Sequence, residues 1–123
     1  MTPLKSNPSL EDFQQYVREM VVERGFDKGT VSQTFMLFLE ECGELSKAVR
    51  KFAAAKKDPA EADKYRVDHE AADVFIYLLD ICNRFGIDLE KAFREKEAHN
   101  ETRGFGGAKK SGAAEIDESS GRQ

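Results

Sequence analysis

Apolar residues recur at steps of three and four along most of this chain, which is the spacing of helices that pack on one face. The first such segment begins after Ser9, a residue type that caps helices, and acidic residues follow in the first turn. It ends before Gly25, a natural helix stop. The second segment covers about residues 30 to 54. The pattern predicts two helices here and no strand.

Two more helices follow a charged connection. The third is predicted over about residues 67 to 85, with a stop at Gly86, and it is apolar nearly all round. The fourth begins after Asp88, a good N-cap, and continues to about residue 102. No β-hairpin signal is visible. The fold class is therefore predicted to be all-α, with four helices in a bundle.

The segments outside these helices define the domain organisation. Residues 1 to 9 are polar and contain two prolines, so we expect a flexible arm. Residues 10 to 104 form the predicted helical domain, and residues 56 to 66 connect its second and third helices with one helical turn. Residues 105 to 123 are rich in Gly, Ala, Ser and Lys, which predicts a disordered tail.

Composition limits the class of protein. The chain has 123 residues, of which 34% are charged, and a net charge of −4. This size allows one domain with a modest core, and the missing basic excess argues against nucleic-acid binding. No apolar run is long enough to cross a membrane. Cys42 and Cys82 both fall at apolar positions and suggest no disulfide, so we expect a soluble protein in a reducing cytoplasm.

The second predicted helix carries two carboxylates one turn apart. Glu41 and Glu44 stand at i and i+3, so they share a helix face. On a helical wheel this pair borders a long apolar stripe. The stripe consists of Phe35, Phe38, Cys42, Leu45, Val49 and Phe52.

The third predicted helix repeats this arrangement. Glu70, Asp73 and Tyr77 form a narrow polar strip on an otherwise apolar helix. Carboxylates held beside a core repel one another unless a cation or a shared proton compensates, and all-oxygen sites suit Mg²⁺ or Mn²⁺. A single E-x-x-E pair is more often a solvated helix face. Two such pairs, each within an apolar helix, favour one metal site instead.

The fourth predicted helix continues an inward stripe with polar residues. The stripe starts with apolar residues that should point into the bundle, Phe93 among them, and goes on to Lys96, Asn100 and Arg103. Two cations and an amide in such a row could receive phosphate oxygens. Basic residues near a helix C-terminus could equally complement its dipole. Spacing alone does not distinguish phosphate binding from compensation of the helix dipole.

Two histidines raise the alternative of a di-iron bundle. Such a site needs Glu-x-x-His pairs, but Arg66 precedes His69 by three residues and Lys96 precedes His99 by three. Zinc is disfavoured as well, because no second His or Cys stands at a ligand interval. We therefore interpret both histidines as surface or supporting residues.

Taken in order, these motifs resemble the MazG-type all-α nucleoside triphosphate pyrophosphohydrolases. That family has E-E-x-x-E, then E-x-x-D, then K-x-x-x-N-x-x-R. In this chain the three motifs are Glu40-Glu41-Cys42-Gly43-Glu44, Glu70-Ala71-Ala72-Asp73, and Lys96, Asn100 and Arg103. The similarity extends over roughly residues 10 to 105.

The resemblance implies Mg²⁺-dependent hydrolysis of a nucleoside triphosphate to the monophosphate and pyrophosphate. It implies that Glu40 orients or deprotonates the attacking water, and that Tyr77 lines the nucleotide pocket. The implied metal ligands are Glu41, Glu44, Glu70 and Asp73. The implied nucleotide-binding residues are Lys96, Asn100 and Arg103. The family also implies a homodimer or homotetramer.

Two points leave alternatives open. Some relatives carry a tryptophan near the end of helix one that packs on the base, but this chain has no tryptophan and Phe26 is the nearest aromatic residue. The base preference is therefore open. The related phosphoribosyl-ATP pyrophosphohydrolases share the acidic motif, and a non-catalytic helical dimerisation module is the alternative from another class.

Overall fold

The computed structural model describes residues 1–55, 58–62 and 64–103, and this part of the chain contains helices and no strand. The helices are α1 (Leu10–Glu23), α2 (Val31–Ala55), α3 (Pro59–Ala62), α4 (Val67–Arg84) and α5 (Leu89–Thr102). The all-α class and the four long helices are thus confirmed, with bounds within about two residues of those expected from the sequence. The short α3 is the single turn predicted in the connection. None of the described helices is long and apolar enough to cross a membrane.

The chain divides into two compact units, residues 1–89 and residues 90–123. The first contains α1 to α4. The second contains α5 from Glu90 onward, and α5 has no buried residue. Phe93 is 64% exposed, contrary to the expectation that it points into the bundle. The predicted tail at residues 105 to 123 lies outside the described residues, and the flexibility of the N-terminal arm stays a prediction.

Side-chain caps explain where the first two long helices begin. Ser9 and Asp12 form a capping box: the Asp12 N–H donates to Ser9 Oγ at 3.1 Å, and the Ser9 N–H donates to Asp12 Oδ2 at 3.0 Å. Thr30 and Gln33 make the same exchange at the start of α2, at 3.1 and 2.8 Å. These bonds satisfy backbone donors that a helix start otherwise leaves unpaired.

Glycines end α1 and α4. Gly25 and Gly86 have φ values of +75° and +66°, which residues with a Cβ rarely adopt. The following amides then turn back onto their helices: the Phe26 N–H donates into α1 at 2.8 Å, and the Ile87 N–H donates into α4 at 2.9 Å. Both ends are Schellman motifs. The α1–α2 connection therefore leaves α1 in a fixed direction.

The core of the first unit lies where α4 packs on α1. Its buried members are Val17, Met20, Val21 and Leu79. Phe13 and Phe75 extend it with an edge-to-face ring contact at a centroid distance of 5.5 Å. On its other side α4 packs along α2. Helix α4 is thus the central element of this unit, as its broad apolar surface predicts.

The inward face of α2 differs from the predicted stripe. Thr34 and Ala48 are its buried residues. Four residues of the predicted stripe are half-buried, namely Phe38, Cys42, Leu45 and Phe52, whereas Phe35 and Val49 are each 48% exposed. The inward face is rotated from the predicted stripe by less than one residue step, roughly 60°, because α2 carries apolar residues on more than one face. Glu41 stands seven residues from both Thr34 and Ala48. It therefore lies in the middle of the inward face instead of at its border.

Candidate metal site and adjoining cleft

Three carboxylates meet where α2 packs on α4. Glu41 comes from α2, and Glu70 and Asp73 come from one turn of α4. One oxygen from each lies within 4.8 Å of the others. Glu41 and Glu70 are half-buried, and Asp73 is exposed. We call these three residues the acidic trio.

The acidic trio has no cationic partner among the ion pairs of the described residues. Its side chains form no hydrogen bond or ion pair with any residue in the described part of the chain. The pKa of Glu41 is raised, first by burial and then by the charges of Asp73 and Glu70. Glu44 and Glu40, on its own helix, raise that pKa further. Within the described part of the chain, the site is therefore short of positive charge.

This arrangement fits a hard divalent cation. Carboxylate oxygens are the preferred ligands of Mg²⁺ and Mn²⁺, and the exposed edge at Asp73 leaves the trio open to solvent. Of the four predicted ligands, the structure brings three together. Glu44 is exposed and lies outside the trio, so its part in metal binding stays a prediction.

A cleft of about 480 Å³ adjoins the trio. It lies among the α1–α2 connection, α2 and α4. Its lining residues are Gly25, Phe26, Gly29, Gln33, Thr34, Met36, Leu37, Glu40, Tyr77 and Asp80. Two of these, Glu40 and Tyr77, were predicted as site residues. The pKa of Tyr77 is raised, first by burial and then by the charge of Glu41, which means that the Tyr77 phenol and the trio influence each other.

A buried ion pair, not predicted from the sequence, supports one wall of this cleft. Asp80 is 7% exposed and accepts from Arg84 Nε at 3.2 Å. The two terminal nitrogens of Arg84 donate to backbone carbonyls of the α1–α2 connection, at Gly29 (2.7 Å) and Phe26 (3.1 Å). The pair therefore ties α4 to the segment that carries Phe26.

The sequence did contain a signal for this pair. Residues 70, 73, 77, 80 and 84 follow one another at steps of three and four, so Asp80 and Arg84 continue the polar strip of Glu70, Asp73 and Tyr77 on one face of α4. A strip of five polar residues on an apolar helix indicates a polar surface longer than a metal site alone requires.

The predicted phosphate-binding residues lie on and just after α5. Lys96 is exposed, Asn100 is half-buried, and Arg103 is exposed and follows the helix. Within their own unit they recur at steps of four and three, so they share one face. Their role toward the acidic trio stays a prediction.

One family model matches the part of the chain that contains this site. The family model of the MazG nucleotide pyrophosphohydrolase domain matches residues 29–103. That range begins before α2 and includes every predicted site residue. A search of the curated proteins found no match.

Proposed function

Because this chain belongs to the MazG nucleotide pyrophosphohydrolase family, we propose that it hydrolyses a nucleoside triphosphate to the monophosphate and pyrophosphate with Mg²⁺ or Mn²⁺. The observation that carries the proposal is the acidic trio, with three oxygens within 4.8 Å beside a cleft of nucleotide size. Pockets of about 300 to 1,000 Å³ take small-molecule ligands.

In this proposal Glu41, Glu70 and Asp73 hold the cation, and Glu44 joins them from the next turn of α2. When bound, the cation neutralises phosphate charge and lowers the pKa of bound water. The raised pKa of Glu41 supports the assignment, because a carboxylate crowded by like charges gains most from a positive partner.

Glu40 is the proposed base. It is exposed, lines the cleft and precedes Glu41 in the sequence, so its carboxylate is available on the substrate side of α2. It would orient the attacking water and take its proton as the α–β phosphoanhydride bond breaks. Lys96, Asn100 and Arg103 would receive phosphate oxygens, the guanidinium as a planar fork and the ammonium as a point charge.

The cleft would hold the nucleoside. Phe26 and Tyr77 supply aromatic surface, and Met36 and Leu37 supply aliphatic surface. Such a lining suits a planar base, with a few polar groups to orient it. The aromatic side chain at Phe26 would take the place of the tryptophan that some relatives use.

We further propose a homodimer or homotetramer in the cytoplasm. Two apolar residues of α2 outside the cleft lining are largely exposed: Phe35 by 48% and Leu39 by 53%. An apolar surface of this kind is typical of a subunit interface. Cys42 and Cys82 are both free thiols, which suits a reducing compartment.

The test is pyrophosphate release from a panel of ribo- and deoxyribonucleoside triphosphates and phosphoribosyl-ATP, with Mg²⁺, with Mn²⁺ and with EDTA. We expect pyrophosphate with either metal and none with EDTA. Release of orthophosphate alone would place the cleavage at another bond and contradict the proposal. Activity confined to phosphoribosyl-ATP would identify the related enzyme instead, and no activity on any substrate would favour a non-catalytic module.

A further inference from the structure

We infer that Arg84, held by Asp80, is a positioning residue that fixes the wall of the cleft and so sets how selectively the cleft accepts a nucleobase. We call residues 26–29 the wall segment. This inference rests on the proposed function. The inference goes beyond the proposed function because it assigns base selectivity to Arg84 and Asp80, which are not among the proposed metal ligands.

Arg84 is the main tie between the wall segment and α4. Its Nη1 donates to the Gly29 carbonyl at 2.7 Å and its Nη2 to the Phe26 carbonyl at 3.1 Å. These two hydrogen bonds hold carbonyls at both ends of the wall segment to α4. Phe26 and Gly29 both line the cleft, so the position of this wall depends on the guanidinium.

Asp80 fixes the guanidinium in turn. Its Oδ1 accepts from Arg84 Nε at 3.2 Å, and the two side chains are only 10% and 15% exposed. Screening by solvent is weak at such burial, and the ion pair leaves both terminal nitrogens free to point at the carbonyls. A planar fork with five N–H donors can serve three oxygen atoms at once, whereas a lysine ammonium on a flexible chain cannot hold the same geometry.

The wall segment has fixed ends and a weakly held middle. At its start, the Phe26 N–H donates back into α1. Just after its end, Thr30 and Gln33 cap α2. Between these points Asp27 and Lys28 are exposed and make no hydrogen bond with the rest of the described chain. Without the Arg84 contacts, the wall segment could move while both adjoining helices stay intact.

The expected effect is on substrate binding more than on chemistry. Arg84 is eleven residues from Asp73, or about 16 Å along the helix axis, so its loss leaves the acidic trio in place. Selectivity is a difference between affinities, and a loosely held wall contacts every base less closely. Loss of Arg84 should therefore weaken binding of the best substrate most and make the four bases more alike.

The test compares Arg84→Lys with wild type over the same nucleotide panel, with Arg94→Lys as a matched control. Arg94 also forms an i,i+4 ion pair through Nε, with Glu90 at 2.9 Å, but it is on the surface and is not among the predicted site residues. For Arg84→Lys we expect KM for the preferred nucleotide to rise about tenfold, kcat to stay within about twofold, and the spread of kcat/KM among bases to shrink. The control should match wild type.

Asp80→Asn is the second variant. It keeps the size and one carbonyl acceptor, so it should change KM in the same direction by a smaller factor. Circular dichroism and Mn²⁺ binding should be unchanged in both variants. Unchanged selectivity and KM in a folded Arg84→Lys protein would overturn the inference while wild-type activity upholds the proposed function. Equal losses in kcat and kcat/KM, or failure of both variants to fold, would also overturn it. A wild-type chain without pyrophosphate release would instead refute the proposed function itself.

Discussion

Helix α4 uses polar side chains in its contact with α1 and again in its contact with α2, and the two polar contacts are opposite in character. The contact with α1 is centred on Gln14, which is 4% exposed, and on Asn83. We call it the amide junction. The contact with α2 is the acidic trio. The amide junction supplies a partner for each polar group, whereas the trio places like charges together.

In the amide junction the hydrogen bonds pair part-buried polar groups with one another. Gln14 Nε2 donates to Asn83 Oδ1 at 2.9 Å and to the Ile87 carbonyl at 2.8 Å, and Gln14 Oε1 accepts from the Leu89 N–H at 3.0 Å. Asn83 Nδ2 donates back to the Gln14 carbonyl at 2.9 Å. The junction therefore fixes the turn after α4 against α1 and contributes to stability.

The acidic trio contributes nothing of this kind in the absence of a cation. Its oxygens lie within 4.8 Å of one another, and the pKa of Glu41 is raised by burial and by its acidic neighbours. A site that destabilises the fold on its own is understandable where a ligand supplies the missing charge. The amide junction is thus a polar contact that stabilises the fold, whereas the trio is one that fits the proposed cation site.

The largest expected effect is on catalysis by the trio. Glu70→Gln keeps the size of the side chain but removes its charge, so we expect kcat/KM to fall at least about 100-fold, or about 2.7 kcal/mol in the activation barrier. The matched control is Asp68→Asn, two residues earlier on α4, where the carboxylate is exposed and pairs with Arg66 at 2.9 Å. Activity of the control should stay within about twofold of wild type, since exposed ion pairs contribute little. Similar losses in both variants would mean that the trio has no special role.

The next largest expected effect is a loss of stability when the amide junction is disrupted. Gln14→Leu leaves the Ile87 carbonyl and the Leu89 N–H without their partner, so we expect the free energy of unfolding to fall by about 2 kcal/mol. Urea denaturation measures this change. Gln15→Leu, at an exposed position, should change it by less than about 0.5 kcal/mol.

The activity of the Gln14→Leu variant provides a second test. Folded Gln14→Leu protein should keep the kcat of wild type at low temperature, because the junction is separate from the trio. A stable variant with reduced kcat would contradict the distinction between the two contacts.

The sequence predicted the helices well because helix ends are local chemistry. Ser9 and Gly25 act on residues within one or two turns of themselves, and so does Gly86. The acidic motifs were also visible, because their spacing places Glu70 beside Asp73 whatever the rest of the fold does.

Contacts between residues of different helices could not be predicted from the sequence in the same way. Gln14 meets Asn83 across 69 residues of sequence, and no local rule relates the two. A partial signal existed, since Gln14 stands at i−3 and i−7 from Val17 and Val21 on the buried face of α1. The rotation of α2 was missed because apolar residues such as Phe35 cover its exposed side as well, and a hydrophobic pattern does not say which apolar face packs within the chain.

The smallest predicted effect is on stability at the trio, and its sign is opposite to that of the Gln14 substitution. The pKa of Glu41 in the folded chain lies above its ordinary value of 4.5, so the folded state holds more protons than the unfolded state as pH rises from there. The stability of the metal-free protein should therefore decline as pH rises through the raised pKa. Glu41→Gln removes the titrating charge.

We expect metal-free Glu41→Gln to be more stable than wild type at pH 7.5, by about 0.5 kcal/mol, the scale of like-charge repulsion between neighbouring helix residues. The two proteins should be alike at pH 4, where wild-type Glu41 is already largely protonated. Adding Mg²⁺ at pH 7.5 should reverse the order, because the cation stabilises the intact trio and by mass action adds about 2.7 kcal/mol at a hundred times its dissociation constant. Thermal melts of both proteins at the two pH values, with and without Mg²⁺, measure this. A substitution that lowers stability without metal would show that Glu41 contributes to the fold as Gln14 does, and the contrast between the two contacts would fail.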